Sequence, residues 1–531
     1  LLITLPYLIA WAAAGNAYSF GGFLLNPLDG NTYLAKMYEG WRGEWRFTLP
    51  YTATQSAGAY LYTFYLGLGH LARLSGIPLI AMYHLARLLG ALFLLWALWH
   101  FLQNLNPSGK HPALVYLLAG LGLGMGWLAF PFGVVTSDFW VAEAYPFLSA
   151  YANPHFVLSL ALLVWLLTIR MPAERQRLAR FAVFFTARGW GELAVVAGAA
   201  AGLGSMSPFA LVLGLAILSV VLVIRIASIW RFDLATQVGF ARQVRTLLGN
   251  QVFQIVALRW IGLILGGAPV VLYAVLAVRV DPLLAAWNTQ NVTPAPPAWD
   301  LFLSFSPALI LAGLGLRRVW RKPTLAIQIV EVWAVLACGM VYLPFGLQRR
   351  FLVGLAIPLT ALASFGLEWL EERFTRRFRF IAGATLALSA PTLLLILLAG
   401  GFGALSHDSL LYLQRGEAQA LAWMGDNTDP EALVLAAPQT GLFIPSHTGR
   451  RVIYGHPFET VEAKVEQAAV SGFFVNAAAN PQAASDFLKL REINYIFYGP
   501  REQGLGSLPD LPGVTSVYSH AGVMVYRVAN P

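Results

Sequence analysis

The sequence predicts an α-helical polytopic membrane protein with about eleven transmembrane helices and a soluble α/β domain at its C-terminus. Three observations carry this. Of 531 residues, 58% are hydrophobic and 11% charged, whereas a soluble globular chain carries about a quarter charged residues. Apolar runs of the ~20 residues needed to cross a hydrocarbon layer recur from residue 1 to about 401. Beyond that point the runs stop, and short apolar stretches alternate with helical ones. A closed barrel would need alternating strands of about ten residues, which this sequence lacks.

The runs fall near 1–17, 58–74, 80–102, 112–131, 154–170, 191–206, 208–227, 253–279, 301–316, 324–342, 351–369 and 379–401. Residues 1–14 also have the composition of a signal-peptide core, with Gly15-Asn16-Ala17 as a cleavage site. Either reading leaves Tyr18 onward outside. Lys and Arg resist translocation and so mark inward loops. Four clusters do this: Arg170, Arg175, Arg177, Arg180 and Arg188; Arg225, Arg231, Arg242 and Arg245; Arg317, Arg318, Arg321 and Lys322; Arg373, Arg376, Arg377 and Arg379. Segments 131–153 and 280–300 contain neither residue. All four clusters face inward only if one early run fails to cross. The weakest is 58–74, interrupted by Gly58, Gly67, Gly69, His70 and Arg73, so it reads as a juxtamembrane or re-entrant helix. Eleven spans result, with the N-terminus inside and segments 18–79, 131–153, 280–300, 343–350 and the C-terminal domain outside. The expected location is the plasma (inner) membrane.

The domain boundary falls at 401/402. Beyond it, strand-like stretches at Ala432–Ala436, Arg451–Tyr454, Asn494–Tyr498 and Val523–Val528 alternate with helical ones near 415–425, 460–474 and 481–491. The net charge of +9 lies in loops between spans rather than on one stripe, which argues against a nucleic-acid partner. The single cysteine, Cys338, sits inside a span, so no internal disulfide forms.

The first outer loop reads Asn26-Pro-Leu-Asp29-Gly-Asn-Thr-Tyr33-Leu-Ala-Lys36-Met-Tyr-Glu-Gly40-Trp-Arg-Gly43. Asp29 stands where an N-cap belongs. Asp29, Tyr33 and Lys36 follow at i, i+4 and i+7 and share a helix face. Spacing alone fits a capped interfacial helix as well as it fits a site.

This order of span, outer loop with an Asp, Tyr-Leu-Ala-x-Met and a Gly-ending helix resembles the GT-C membrane glycosyltransferases. The similar branch is the protein mannosyltransferase and aminoarabinose transferase type. Tyr60-Leu-Tyr-Thr-Phe-Tyr-Leu-Gly-Leu-Gly with Arg87-Leu-Leu-Gly90, and Gln348-Arg349-Arg350-Phe351 running to Pro358, resemble later segments of that family. The sequence departs from it at Gly58-Ala59-Tyr60, where the family usually has a Pro pair with a Lys or His beside it. The resemblance implies transfer of a sugar from a polyprenyl-phosphate donor to an acceptor hydroxyl at the outer face, with Asp29 as base. It also implies that an acid of the second loop, Asp138 or Glu143, positions the acceptor or a metal. His155 stands beside them at the start of a span, where a histidine also serves as a cap. A divalent cation is the one cofactor the resemblance admits. Its implied partners are the lipid-linked donor and a lipid, glycan or protein acceptor.

Arg349 and Arg350 break the positive-inside rule, so they and Lys36 are expected at the donor phosphate, which guanidinium groups bind bidentately; snorkelling toward head groups is the alternative. Arg87, Arg259 and Glu331 lie within apolar runs and should face protein or a cavity. In the C-terminal domain His447, Tyr454-Gly-His456-Pro-Phe and Glu459 form the densest polar group. Two other classes remain open, a transporter or lipid flippase and a non-catalytic assembly protein on the same fold. Transporters show matching halves, and none occur here.

Overall fold

The computed structural model describes residues 1–169, 187–235, 240–320 and 324–529. Arg170, Arg175, Arg177, Arg180, Arg321 and Lys322 of the inward clusters therefore lie outside the described residues. The chain packs as two compact units. One comprises residues 1–85, 274–292 and 398–531, the other 86–273 and 293–397. Residues beyond 401 thus share a packed unit with the first 85.

The first unit opens with α1 (Leu5–Ala13), β1 (Tyr18–Phe20), α2 (Pro27–Arg42) and α3 (Thr63–Ser75), and enters α4 (Leu79–Leu105). The first apolar run is thus a helix of nine residues followed by a strand. β1 pairs antiparallel with β2 (Tyr412–Gln414), which fastens the N-terminal segment to the C-terminal one. A second sheet has the order β4-β3-β5-β7-β6. It is built from β3 (Leu433–Leu435), β4 (Arg451–Val452), β5 (Tyr495–Tyr498), β6 (Val514–His520) and β7 (Val523–Val528). β4, β3 and β5 run parallel, and β7 and β6 close the sheet as a hairpin. Ala521 and Gly522 make its turn with φ of 49° and 78°, the mirror-image geometry that two-residue hairpins require. The helix Pro438–Thr448 packs with α2, and one apolar core runs through Ala35, Tyr51, Val434, Phe443 and Phe497.

α2 and α3 cross where side chains vanish. A Cβ on Gly40 would stand 2.1 Å from the Leu66 carbonyl oxygen, and one on Gly69 2.0 Å from that of Met37. The glycines that weakened 58–74 as a span are in part this contact.

The second unit is helical. Among the described residues five helices are long and apolar enough to cross a membrane, at Leu79–Leu105, Pro208–Ser228, Gln251–Val280, Gln348–Arg373 and Thr375–Leu405. The count rises to seven if two bent pairs each make one span, and Pro154–Leu167 and Leu325–Met340 are shorter apolar helices. Two runs expected as simple spans are bent. The run at 112–131 turns by 55° after Leu121, and that at 301–316 turns by 81° between Phe305 and Ala308. Helix Ala356–Arg373 is almost wholly buried over its apolar length and crosses Ala308–Val319 at Gly366 and Gly315. Inside this unit Arg87 is 1% exposed and donates to the carbonyls of Ala150 and Tyr151 at 2.9 and 3.3 Å. Arg259 donates to Leu166 at 3.1 Å and pairs with Glu192 at 3.4 Å. Both meet protein, as their cost in lipid demands.

Candidate functional site

The expected site residues fall into two clusters, one in each unit.

In the first unit α2 starts earlier than its sequence suggests. Asn26, at φ 52°, is the N-cap and Pro27 opens the helix, a position where its fixed φ and missing N–H cost nothing. Asp29 is therefore not the cap but a first-turn residue, where the helix dipole favours a carboxylate. Its side chain is 43% exposed, and its Oδ1 lies 3.6 Å from His456 Nε2. His456 is buried. Its Nδ1 accepts the backbone N–H groups of Phe458 and Glu459, each at 3.1 Å. With Nδ1 accepting, the ring proton belongs on Nε2, facing Asp29. The turn that holds this ring is tied by the Thr460 hydroxyl, which accepts from the N–H of Gly455 and of His456. Gly455 cannot carry a side chain here, because a Cβ would stand 2.4 Å from the Gly441 carbonyl oxygen.

Two turns along α2, Lys36 is 1% exposed and its Nζ lies 2.8 Å from Glu459 Oε1. The rings of Tyr62, Phe47 and Tyr33 surround the ammonium at 4.4, 5.1 and 5.4 Å. Tyr33 stacks in turn on Tyr65 at 4.4 Å. The sequence places Lys36 at the donor phosphate. Its ammonium is instead held by Glu459, and Asp29 is met by His456. One turn, 455–460, thus supplies the partners of both residues.

Two more groups complete this cluster. Glu39 accepts from the Thr48 N–H at 3.3 Å and from the Thr48 hydroxyl. Burial outweighs those bonds and the nearby Lys36 and Arg42, and pushes the carboxyl up to about 8. Tyr51 donates to the Leu442 carbonyl at 3.0 Å. Burial, with Glu459 adding to it, holds its phenol well above the ordinary tyrosine value.

In the second unit Asp138 is fully buried. It accepts from Thr136 Oγ1 at 2.6 Å, Thr392 Oγ1 at 3.0 Å and the Gly126 N–H at 3.1 Å. Burial raises its carboxyl despite these bonds. Asp300 accepts from the Ser137 N–H at 2.9 Å and Oγ at 3.0 Å, and Ser304 Oγ lies 2.6 Å from Asp300 and 3.2 Å from Asp138. This is a closed polar knot that fixes the bent segments. Glu143 does something different: its Oε1 lies 3.4 Å from Arg350 Nη1. The Arg349 guanidinium lies 4.4 Å over the Trp140 ring. The second loop and the 343–350 loop thus meet through both arginines. His155 is buried in the first turn of Pro154–Leu167, its ring 4.1 Å from that of Phe156.

These acids do not fit a metal site. No three His, Cys, Asp or Glu side chains among the described residues are placed to hold one ion. Asp138 is occupied by hydrogen bonds, and His456 presents a proton rather than a lone pair.

Sequence reasoning missed Asp300, Glu39 and Tyr51. Asp300, a lone acid opening an apolar run, carried the one usable signal. His456 and Glu459 stood out as a polar group, but nothing in the sequence joined them to α2.

No protein-family profile and no curated protein sequence matches this chain. Solved structures do. The Archaeoglobus fulgidus oligosaccharyltransferase tethered with an acceptor peptide superposes with a TM-score of 0.54 at 14% identity, covering 100% of this chain and 74% of that one. Its apo form gives 0.52 at 13% identity, covering 99% and 74%. ArnT from Cupriavidus metallidurans bound to undecaprenyl phosphate gives 0.46 at 12% identity over 99% and 97%, too distant to carry an argument. The first two show the fold, a GT-C-like membrane fold over the full length of the chain.

Proposed function

We propose that this chain is a glycosyltransferase that moves a sugar from a polyprenyl-phosphate donor to an acceptor hydroxyl at the outer membrane face, with Asp29 as base. One observation carries the reading: on a GT-C-like fold, the partly exposed Asp29 carboxylate faces a buried histidine ring, with Oδ1 3.6 Å from His456 Nε2. The acceptor oxygen bonds to the anomeric carbon as the carbon–oxygen bond to phosphate breaks. The electron pair of that bond leaves with the polyprenyl phosphate, and the hydroxyl proton passes to Asp29. Arg349 and Arg350 stabilise the departing phosphate. Their seats on Trp140 and Glu143 support this over free snorkelling, since a placed guanidinium binds phosphate directionally. In this reading the chain sits in the inner membrane with residues 402–531 outside.

Asp29→Asn keeps the shape and the acceptor oxygen that faces His456, but cannot take a proton. The purified protein should still bind undecaprenyl-phosphoryl sugar, while transfer falls at least about a hundred-fold, as expected for a positioned base. In the same assay the Arg349→Gln, Arg350→Gln double variant should weaken donor binding about ten- to hundred-fold, the worth of a charge-assisted contact. Full transfer by Asp29→Asn would make this carboxylate structural and the proposed reaction wrong.

A further inference from the structure

We infer that His456 is a positioning residue for the reaction proposed above: from the C-terminal segment it orients the Asp29 carboxylate through its Nε2–H. The inference rests on that reading of Asp29 and adds a residue to it.

Exposure decides which of the two groups could take a proton from an acceptor. Asp29 is 43% exposed and the His456 side chain 2%. The imidazole has no free nitrogen to act as base, because Nδ1 already accepts two backbone N–H groups. The same two bonds fix the ring's rotation and place its proton on the Asp29 side. The 3.6 Å separation is longer than a formed hydrogen bond, a gap typical of catalytic contacts that tighten once substrate is bound. The surrounding turn is built to hold the ring: Thr460 ties its backbone, and Gly455 admits it against Gly441. Glu459, three residues on, anchors the turn to Lys36 of the same helix.

Two substitutions divide the ring's functions. In His456→Asn the amide oxygen replaces Nδ1 as acceptor for the turn, but nothing reaches Asp29. In His456→Gln the amide nitrogen occupies the place of Nε2 and donates to Asp29. The full-length protein, purified in nanodiscs, is assayed with whichever of undecaprenyl-phosphoryl glucose, mannose or arabinose the parent uses. His456→Asn should lower kcat about ten- to hundred-fold with donor KM within about two-fold and an unchanged melting temperature, the pattern of a lost transition-state interaction. His456→Gln should return kcat to within about five-fold of the parent. Equal impairment of both variants, or a change in KM alone, would reduce His456 to a structural prop and overturn the inference. If Asp29→Asn is inactive while His456→Asn is fully active, only the histidine's part falls. An active Asp29→Asn would remove the base itself, and the inference with it.

Discussion

At the residue scale, the cluster around α2 buries one charge as a pair, Lys36 with Glu459, and another carboxyl, Glu39, without one. Burying an ion pair is favourable only when both charges are met, as Lys36 and Glu459 meet each other at 2.8 Å. Glu39 has Thr48 and, among the described residues, no cation bonded to it, so burial keeps it protonated up to about 8. That has a measurable consequence. The unfolded chain releases this proton near the ordinary glutamate value of 4.5, whereas the folded protein keeps it until about 8. Within that window the folded state binds more protons, so stability falls as pH rises, by up to about 1.4 kcal/mol per pH unit for one group. Above the window the loss is complete and the curve flattens. Glu39→Gln has no proton to lose. Melting curves of the purified protein from pH 5 to 9 should show the parent losing stability relative to this variant up to about 8. Parallel curves would mean that the carboxyl is ionised in the folded state.

At the element scale, sequence pattern was a good guide to what forms and a poor one to what meets. The strand-like stretches around 433, 451, 495 and 523 do form strands, because β-branched and aromatic residues fill them between turns. Two apolar runs looked like straight spans because composition is blind to a bend of 55° or 81°. The site was half legible for a similar reason. Asp29, Tyr33 and Lys36 share a face by helical period, but His456 and Glu459, which meet Asp29 and Lys36, come from a turn more than 400 residues away, and no spacing rule connects such residues. The Gly40–Gly69 crossing sets the position of this face and can be tested directly. Gly69→Ala puts a Cβ 2.0 Å from the Met37 carbonyl oxygen, so the two helices must separate; overpacking of this kind costs about 1–3 kcal/mol. Gly67→Ala is the control, since its Cβ would meet nothing within 4 Å. The first should lower both melting temperature and transfer, and the second neither. Equal tolerance at both positions would show that the close crossing is dispensable.

At the scale of the whole molecule, the composition change at 401 falls close to residue 398, where the chain passes back into the first packed unit, but that unit is not built from the C-terminal residues alone. Residues 398–531 close on the first 85, through the β1–β2 pairing and a shared core. The reading of the outer face rests on segment 58–74 not crossing the membrane, for only then do all four Arg clusters face inward. α3 is 13 residues long, about 20 Å of helix, against a hydrocarbon layer of about 30 Å, and it is not among the helices long and apolar enough to cross. Labelling can decide it. Gly58 and Gly76 flank the segment but adopt φ of +76° and +69°, where a side chain would be strained, so the probes belong on the exposed neighbours Ala57 and Ser75. With Cys338 replaced by Ala, the chain has no other thiol. Ala57→Cys and Ser75→Cys should both react with a membrane-impermeant maleimide on intact cells, and Arg373→Cys only after permeabilisation. Should Ala57→Cys react while Ser75→Cys stays protected, the segment crosses. The later loops would then change sides, and Arg349 and Arg350 would face the wrong compartment for an outer-face donor.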